Sequence, residues 1–149
     1  MASISVRRHI AAPVDEVFAR ASDFARAPDV IEGIAKVEML TGGPVGQGTR
    51  FRETRIMFGR EAIEEMEVTA FDPPRRYALG CENHGCRYHS ELRFTPSGSG
   101  TDVEMSFDAT PLTTIAKIMS LVMRPMMRSL AKTCLKDLDD LKSALESSA

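Results

Sequence analysis

The sequence has few cysteines, no long apolar run and no excess of either charge. It contains three cysteines, and an odd number is poorly suited to a full disulfide framework, so a reducing cytoplasm is the expected location. No stretch approaches the roughly 18 consecutive apolar residues of a membrane-spanning helix. The N-terminal MASISVRRHI also lacks the continuous apolar core of a signal peptide. We therefore predict a cytoplasmic protein with no membrane span.

The charge balance gives no support for a nucleic-acid partner. The chain has 19 basic and 21 acidic residues, a formal net charge of −2, and the two signs are interspersed. This pattern indicates neither nucleic acid nor an anionic membrane surface as a partner. With 149 residues, of which 43% are hydrophobic, the chain is expected to form one domain, residues 1–149, whose core needs no disulfide or metal.

A strand and two short helices are predicted in the first part of the chain. Alternation of apolar and polar residues indicates a strand over 4–10. Pro13 then suits the first helical position because its φ is fixed, and Asp15 and Glu16 complement the helix dipole in the first turn. A second short helix is expected over about 27–31, ending near a glycine.

The middle of the chain is typical of an antiparallel meander. Six more runs have strand character and are separated by residues that favour turns: 34–40, 49–58, 60–71, 77–81, 87–94 and 102–109. Gly59-Arg60 suits a two-residue hairpin turn between the second and third of these runs. Apolar residues then recur at helical spacing over 111–145, which predicts a long C-terminal helix. Pro125 should kink or interrupt this helix after Met123.

The order of these elements and several local motifs resemble a known superfamily. The matching motifs are IAAPVDEVFARASDFARAPDVI, VGQGTRFRET, VTAFDPPRRYAL and FTPSGSGTDVEMSF. They resemble the SRPBCC or START-like superfamily, which includes the birch-pollen allergen, and especially its bacterial polyketide cyclase/dehydrase-like branch. The resemblance implies an α+β helix-grip fold, in which a curved antiparallel sheet wraps around a long C-terminal helix and encloses a cavity for a small apolar ligand. It implies no single chemistry, since members include lipid carriers, hormone receptors and cyclases.

A two-residue turn at Gly59-Arg60 would fix which side chains share the concave face of the first hairpin. The predicted cross-strand pairs are Met57 with Ala62, Arg55 with Glu64, Glu53 with Met66, and Phe51 with Val68. The other face would carry Ile56 opposite Ile63, which compete for the inward position. The face with Phe51, Met66 and Val68 is the better candidate for the concave side.

An Arg55–Glu64 pair, with Glu53 nearby, would then lie inside the cavity. There it could anchor a carboxylate, carbonyl or hydroxyl of an otherwise apolar ligand. Alternatively, the two residues form an exposed cross-strand ion pair that contributes at most about 1 kcal/mol to stability.

The remaining candidate ligand-binding residues lie on the later strands and the C-terminal helix. They are Tyr77, Leu79, Tyr88, Ser90, Leu92, Met105, Phe107, Ile115, Met119, Val122 and Met126. The tyrosine and serine hydroxyls could bind a ligand or satisfy one another. Met119 and Met126 could line a pocket for variable apolar ligands or form ordinary helix core. Because Ile118, Leu121 and Met123 widen the apolar surface, we expect either a wide pocket or a contact surface, as in a homodimer or against a membrane.

The segment CENHGCRYHS concentrates two cysteines and two histidines within residues 81–90. A four-residue turn over 82–85 would place Cys81 opposite Cys86, where oxidation could form a cross-strand disulfide. His89 is three residues beyond Cys86 and would therefore point to the opposite face, which argues against a compact metal site. We expect no metal and no cofactor.

The predicted function is the binding or transport of a small hydrophobic or amphipathic molecule, with no assigned covalent chemistry. No nucleophile motif accompanies the histidines. One alternative is a cyclase or dehydratase in which Glu53, Arg55, Glu64 or a pocket tyrosine polarises a carbonyl group. The other is a protein-interaction module that uses the exposed part of the C-terminal helix.

Overall fold

The computed structural model describes residues 2–57, 59–83, 85–122, 125 and 127–147. Within these ranges seven strands form one antiparallel sheet: β1 Ala2–Ile10, β2 Ile34–Met39, β3 Arg50–Met57, β4 Arg60–Asp72, β5 Arg76–Asn83, β6 Cys86–Ser97 and β7 Gly100–Pro111. The helices are α1 Val14–Ala21, α2 Ala27–Val30, α3 Thr114–Val122 and α4 Met127–Ser147, and a short 3-10 helix, Phe24–Arg26, precedes α2.

The strand order in the sheet is β1-β7-β6-β5-β4-β3-β2. Strands that follow one another in the sequence from β2 to β7 are therefore neighbours in the sheet. Strand β1 lies at one edge, where it pairs with β7. Together with a long C-terminal helix and short helices after β1, this curved sheet confirms the predicted α+β helix-grip fold.

Helix α1 begins directly after Pro13, which has φ −61°. The proline was expected at the first helical position and stands one residue earlier, where its fixed φ still directs the chain into the helix. Val17 and Phe18 are the buried residues of α1, and they face the core beneath it. The helix thus covers one end of the concave face of the sheet.

The C-terminal helical region is divided into two helices, which is one of the two outcomes predicted for Pro125. Helix α3 ends at Val122, helix α4 begins at Met127, and Pro125 lies between them. Proline cannot donate to the helical hydrogen-bond ladder, and its ring opposes helical continuation of the preceding turn, which explains the interruption. Met123, where the kink was expected, lies outside the described residues.

Helix α4 packs across the sheet through one apolar face. Its buried residues are Cys134, Leu138 and Leu141. Polar contacts fix the same helix to the first strand: Arg8 Nε donates to Asp139 Oδ1 at 2.7 Å. Farther along, Lys142 Nζ donates to the backbone oxygen of His9 at 2.8 Å. The helix is therefore held at several points along its length.

Aromatic rings occupy the core between α1 and the sheet. Phe24 stacks on Phe51 with ring centroids 4.7 Å apart, and Phe18 meets Phe94 edge-on at 5.2 Å. Tyr77 contacts Phe24 edge-on at 5.3 Å. These contacts join both halves of the sheet to the helices that follow β1, and they close one end of the space beneath α4.

The β3–β4 hairpin has a register two residues away from the predicted one. Arg55 lies opposite Ala62, and Glu53 lies opposite Glu64, so the predicted Arg55–Glu64 cross-strand pair is wrong. Met57 pairs with Arg60, and Gly59 between them has φ +77°. The turn therefore lies one residue earlier than Gly59-Arg60, with glycine supplying the positive φ that such turns require. A two-residue shift leaves each side chain on the same face of its strand.

The β5–β6 hairpin register also differs from the predicted one by two residues, in the opposite direction. Cys81 lies opposite Tyr88, and Cys86 lies opposite Asn83, so the two cysteines are not the direct cross-strand neighbours that were predicted. Both are free thiols in the structure. The observed turn is shorter than the predicted turn over 82–85 because strand pairing continues to Asn83 and Cys86. His84, the third residue of that predicted turn, lies outside the described residues.

Candidate functional site

A cavity of about 740 Å³ lies between the concave face of the sheet and helices α2, α3 and α4. Its walls are largely apolar, and α1 contributes Arg20 and Ala21 at one side. The strands supply the floor because alternate residues of each strand point to the same face. The long helix α4 supplies the opposite wall with residues of its buried stripe.

Most of the predicted ligand-binding residues line this cavity. They are Phe51, Glu53, Arg55, Glu64, Met66, Tyr77, Leu79, Tyr88, Ser90, Leu92, Met105, Phe107, Ile115 and Met119. Val68 is instead fully buried in the core and is not part of the lining. Val122 is 66% exposed at the end of α3 and is also not part of it. Met126 lies outside the described residues.

The face assignment of the first hairpin is clear from exposure. Ile56 and Ile63 are 48% and 55% exposed and lie on the convex side of the sheet. Their strand neighbours Arg55 and Glu64 consequently point inward and line the cavity. Glu53, Arg55 and Glu64 thus belong to the concave face.

The salt-bridge partner of Arg55 comes from helix α4 and not from the neighbouring strand. Arg55 Nη1 donates to Asp137 Oδ1 at 3.2 Å, and Nη2 donates to Oδ2 at 2.8 Å. Arg55 Nε also lies 3.8 Å from Glu53 Oε2. The three side chains are only 13–16% exposed, so the whole group is a buried ionic cluster. We call Glu53, Arg55 and Asp137 the ionic cluster.

Burial governs the protonation of the two carboxylates in the ionic cluster. It raises the pKa of Glu53 above 4.5, with Arg55 opposing the rise and the charges of Asp137 and Glu64 reinforcing it. Burial likewise raises the pKa of Asp137, although its hydrogen bonds from Arg55 act in the opposite direction. Both carboxylates are therefore easier to protonate in the folded protein than in water.

Glu64 lies beside the ionic cluster and accepts a hydrogen bond from a thiol. Cys81 Sγ donates to Glu64 Oε2 at 3.1 Å. Burial, together with this hydrogen bond and the charge of Glu64, raises the pKa of Cys81 to about 12. Cys81 therefore remains a neutral thiol near neutral pH and acts here as a hydrogen-bond donor to Glu64.

The two tyrosines of the cavity have different surroundings. Tyr77 donates its hydroxyl to the backbone oxygen of Ala21 at 3.3 Å, and burial raises the pKa of this hydroxyl. Tyr88 stacks on Phe107 with ring centroids 5.8 Å apart, and burial raises its pKa to about 12. Both tyrosines are neutral near neutral pH, and Tyr77 already has an acceptor within the protein.

Asp137 is a charged cavity residue that the sequence interpretation missed. It lies three residues after Cys134 and four before Leu141, so it falls on the buried stripe of α4. A carboxylate on a buried helical stripe needs a partner, because burying an unpaired charge is costly. The carboxylate on this stripe could therefore have indicated a buried salt bridge, and Arg55 is the basic partner in that salt bridge.

The described cysteines and histidine of residues 81–90, which are Cys81, Cys86 and His89, lie in different surroundings. His89 is exposed, whereas Cys81 and Cys86 line the cavity. Within the described part of the chain no three His, Cys, Asp or Glu side chains are grouped so that they could hold a metal ion. The described helices also include none that is long and apolar enough to cross a bilayer.

Family comparison agrees with this architecture. The model of the family described as polyketide cyclase/dehydrase and lipid transport matches residues 1–146. The chain belongs to this family. The membership of a polyketide cyclase/dehydrase-like family, first suggested by the motifs, is thereby confirmed, and no curated protein matches the sequence significantly.

Solved structures show how widely this family fold is shared. A START superfamily protein from Mycobacterium smegmatis has 17% identity and a TM-score of 0.80, with 99% of each chain covered. A protein from Thermus thermophilus has 20% identity and a TM-score of 0.78, also with 99% of each chain covered. The di-domain ARO/CYC protein StfQ of the steffimycin biosynthetic pathway has 13% identity and a TM-score of 0.80, and the match covers 98% of this chain but 51% of StfQ. At these identities the likeness concerns the fold.

Proposed function

We propose that this family member binds a small hydrophobic or amphipathic molecule inside the cavity and carries or presents it without covalent chemistry. The observation that supports this proposal most strongly is the cavity itself, about 740 Å³ in volume and lined mainly by apolar side chains. Pockets for small molecules are typically about 300–1,000 Å³, mostly apolar and equipped with a few polar groups. The lipid-transport part of the family description is consistent with such an occupant.

Binding is favoured over catalysis by the state of the candidate polar groups. A cyclase or dehydratase would need a donor that can reach a substrate carbonyl. Arg55 donates twice to Asp137, and Tyr77 donates to the backbone of Ala21. Both groups already have acceptors within the protein, so we favour a binding role and assign no catalytic residue.

Binding can be tested with one pair of neighbouring residues that face opposite sides of β4. Ala62 lines the cavity, whereas Ile63 is 55% exposed on the convex side. We expect the purified protein to bind the neutral apolar dye Nile red at a stoichiometry near one, and native mass spectrometry to detect any retained small molecule. Ala62→Trp should weaken dye binding by about tenfold or more because the indole occupies the cavity.

Ile63→Trp is the matched control and should leave dye binding within about twofold of wild type. Far-UV circular dichroism should show that both variants fold. Equal loss of binding in the two variants would place the dye outside the cavity. Absence of dye binding and of any retained molecule in the folded wild-type protein would refute the proposed function.

A further inference from the structure

Helix α3 turns its apolar side toward solvent. Four apolar residues are spaced i, i+3, i+4 and i+7 and so lie on one face of this helix: Ile115, Ile118, Met119 and Val122. Each of the four side chains is between 51% and 76% exposed. Such a face normally packs against the core of a globular protein, whereas the buried residue of α3 is the small Ala116. We call these four exposed residues the α3 stripe.

The α3 stripe reaches the place where the cavity meets solvent. Ile115 and Met119 line the cavity and are nevertheless more than half exposed. Ala116 and Ser120 of the same helix also line the cavity. Contiguous exposed apolar side chains mark a contact with another protein or with a membrane. The charges around the stripe indicate which of these contacts applies here.

The sequence around α3 is basic, although the whole chain is nearly balanced. Residues 109–136 contain five basic residues, and all 21 acidic residues of the chain lie outside this segment. Lys117 of α3 is exposed, as are Arg128 and Lys132 in the first part of α4. The surface of an anionic lipid bilayer attracts such residues and also accepts apolar side chains at the boundary between head groups and acyl chains. The exposed apolar face and the local charge thus point to the same kind of surface.

A second copy of the chain suits the α3 stripe less well. The helix has nine residues, so it is about 14 Å long and about 10–12 Å wide with its side chains. Stable protein interfaces bury about 800 Å² on each partner, which is much more than one face of so short a helix provides. Two-fold pairing through the stripe would also bring both copies of Lys117 into the same small interface.

We propose that the α3 stripe docks on the surface of an anionic lipid membrane, with its apolar side chains below the head groups and the nearby basic residues among them. This inference goes beyond the proposed ligand-binding function and can fail independently of it, because docking requires no ligand in the cavity. Ile115 and Met119 connect the stripe to the cavity. A docked molecule would therefore hold the cavity against the bilayer, so that an apolar ligand could pass between them without crossing water.

Vesicle binding tests the docking directly. The purified protein is mixed with vesicles of phosphatidylcholine, either alone or with about 30% phosphatidylglycerol, and the bound fraction is measured by co-sedimentation. At about 0.15 M salt we expect binding to the anionic vesicles to be about tenfold tighter or more. Binding should weaken at about 1 M salt, because salt screens the attraction between basic side chains and anionic head groups.

Two isoleucines of similar exposure allow a matched test of the stripe. Ile118 lies on the stripe and Ile63 on the convex side of the sheet, and neither is among the described residues that line the cavity. Ile118→Glu should weaken binding to anionic vesicles about tenfold or more, because it removes an inserted apolar side chain and adds a negative charge. Ile63→Glu adds the same charge elsewhere and should stay within about twofold of wild type. Val122→Glu should reproduce the effect of Ile118→Glu, and circular dichroism checks that each variant folds.

The electrostatic part of docking is tested with two exposed lysines. Lys117→Gln should weaken binding to anionic vesicles about fivefold and change binding to phosphatidylcholine vesicles little. Lys36 borders the same convex surface as Ile63. Lys36→Gln is therefore the matched control and should leave vesicle binding within about twofold of wild type.

The outcomes separate docking from the proposed function. The inference is wrong if the folded protein binds neither kind of vesicle, or if Ile118→Glu and Ile63→Glu affect binding equally. It is also overturned if the protein ignores vesicles and forms a dimer that Ile118→Glu dissociates in analytical ultracentrifugation, since the stripe would then join two copies. Nile red binding measured without vesicles decides the proposed function separately in each case.

Discussion

Glu53 is the residue at which burial and charge conflict most directly. It faces an apolar cavity, lies opposite another glutamate and shares Arg55 with Asp137. Such a position lowers stability when the side chain ionises, because a buried carboxylate loses hydration that one shared guanidinium cannot fully replace. The cost is expected where a fold retains a polar group for binding, since stability alone would favour an apolar side chain there.

A pH titration of stability should reveal this cost. Burial raises the pKa of Glu53 in the folded protein, so above its ordinary 4.5 the folded state binds more protons than the unfolded state. Its contribution to the free energy of unfolding therefore falls as pH rises from about 4.5 through the raised pKa. Glu53→Gln removes this contribution, so the variant should gain stability relative to wild type between about pH 4 and pH 7, as measured by urea unfolding.

Arg55, Asp137 and Glu64 also face this carboxylate, and Asp137 titrates in the same direction. Both proteins retain Asp137, so its effect largely cancels in the difference between them. Glu61→Gln, on the exposed face, serves as the control and should show no such trend. A constant stability difference across the whole pH range would show that Glu53 is not destabilised by ionisation.

At the level of elements, residue patterns predicted the types and order of the strands more accurately than their pairing. Both predicted hairpin registers were wrong by two residues, since the turns were located from glycine and short polar runs, which leave neighbouring positions equally acceptable. The even error preserved the inward face, because side chains alternate with a period of two. Most cavity residues of the strands could therefore be predicted even though their cross-strand partners could not.

The C-terminal residues were harder to predict for a different reason. The sequence interpretation placed one continuous apolar stripe on both sides of Pro125. The chain forms two helices there, and the direction that a stripe faces in one helix does not determine the direction in the next. Val122 consequently faces solvent. Asp137 was missed because its partner on β3 is 82 positions away in the sequence, and local periodicity contains no information about such a contact.

Helices α3 and α4 should respond differently to truncation of an apolar side chain. Leu138 of α4 is 1% exposed, so Leu138→Ala should lower the free energy of unfolding by about 2–5 kcal/mol. Ile118 of α3 is 59% exposed, and Ile118→Ala should change it by less than about 0.5 kcal/mol. Chemical denaturation of both variants measures the contrast, and similar losses would mean that α3 is packed far more closely than its exposure indicates.

For the whole molecule, the cavity links ligand binding to global stability. The cavity walls come from the sheet and from helices near both ends of the sequence, so unfolding destroys the site. A ligand that binds the folded state alone should add about 2.7 kcal/mol to the free energy of unfolding at a free concentration 100 times its Kd. For a chain of this length, that corresponds to a rise in Tm of roughly 5–10 °C.

Thermal melts over a series of Nile red concentrations, followed by circular dichroism, measure this effect. The rise in Tm should be much smaller for Ala62→Trp, whose cavity is filled, than for Ile63→Trp. If the folded protein binds Nile red but its Tm does not depend on the dye concentration, the dye binds a surface that survives unfolding.

The Arg55–Asp137 salt bridge also determines how α4 can be aligned over the sheet. Many of the other contacts between this helix and the cavity are between aliphatic groups, which could be exchanged for similar ones if the helix slid along its axis by one turn, about 5.4 Å. Such a slide would separate a bidentate pair whose geometry depends on both carboxylate oxygens. We therefore expect this pair, together with the Arg8–Asp139 and Lys142–His9 contacts, to select one alignment of the helix among several that hydrophobic packing alone would tolerate.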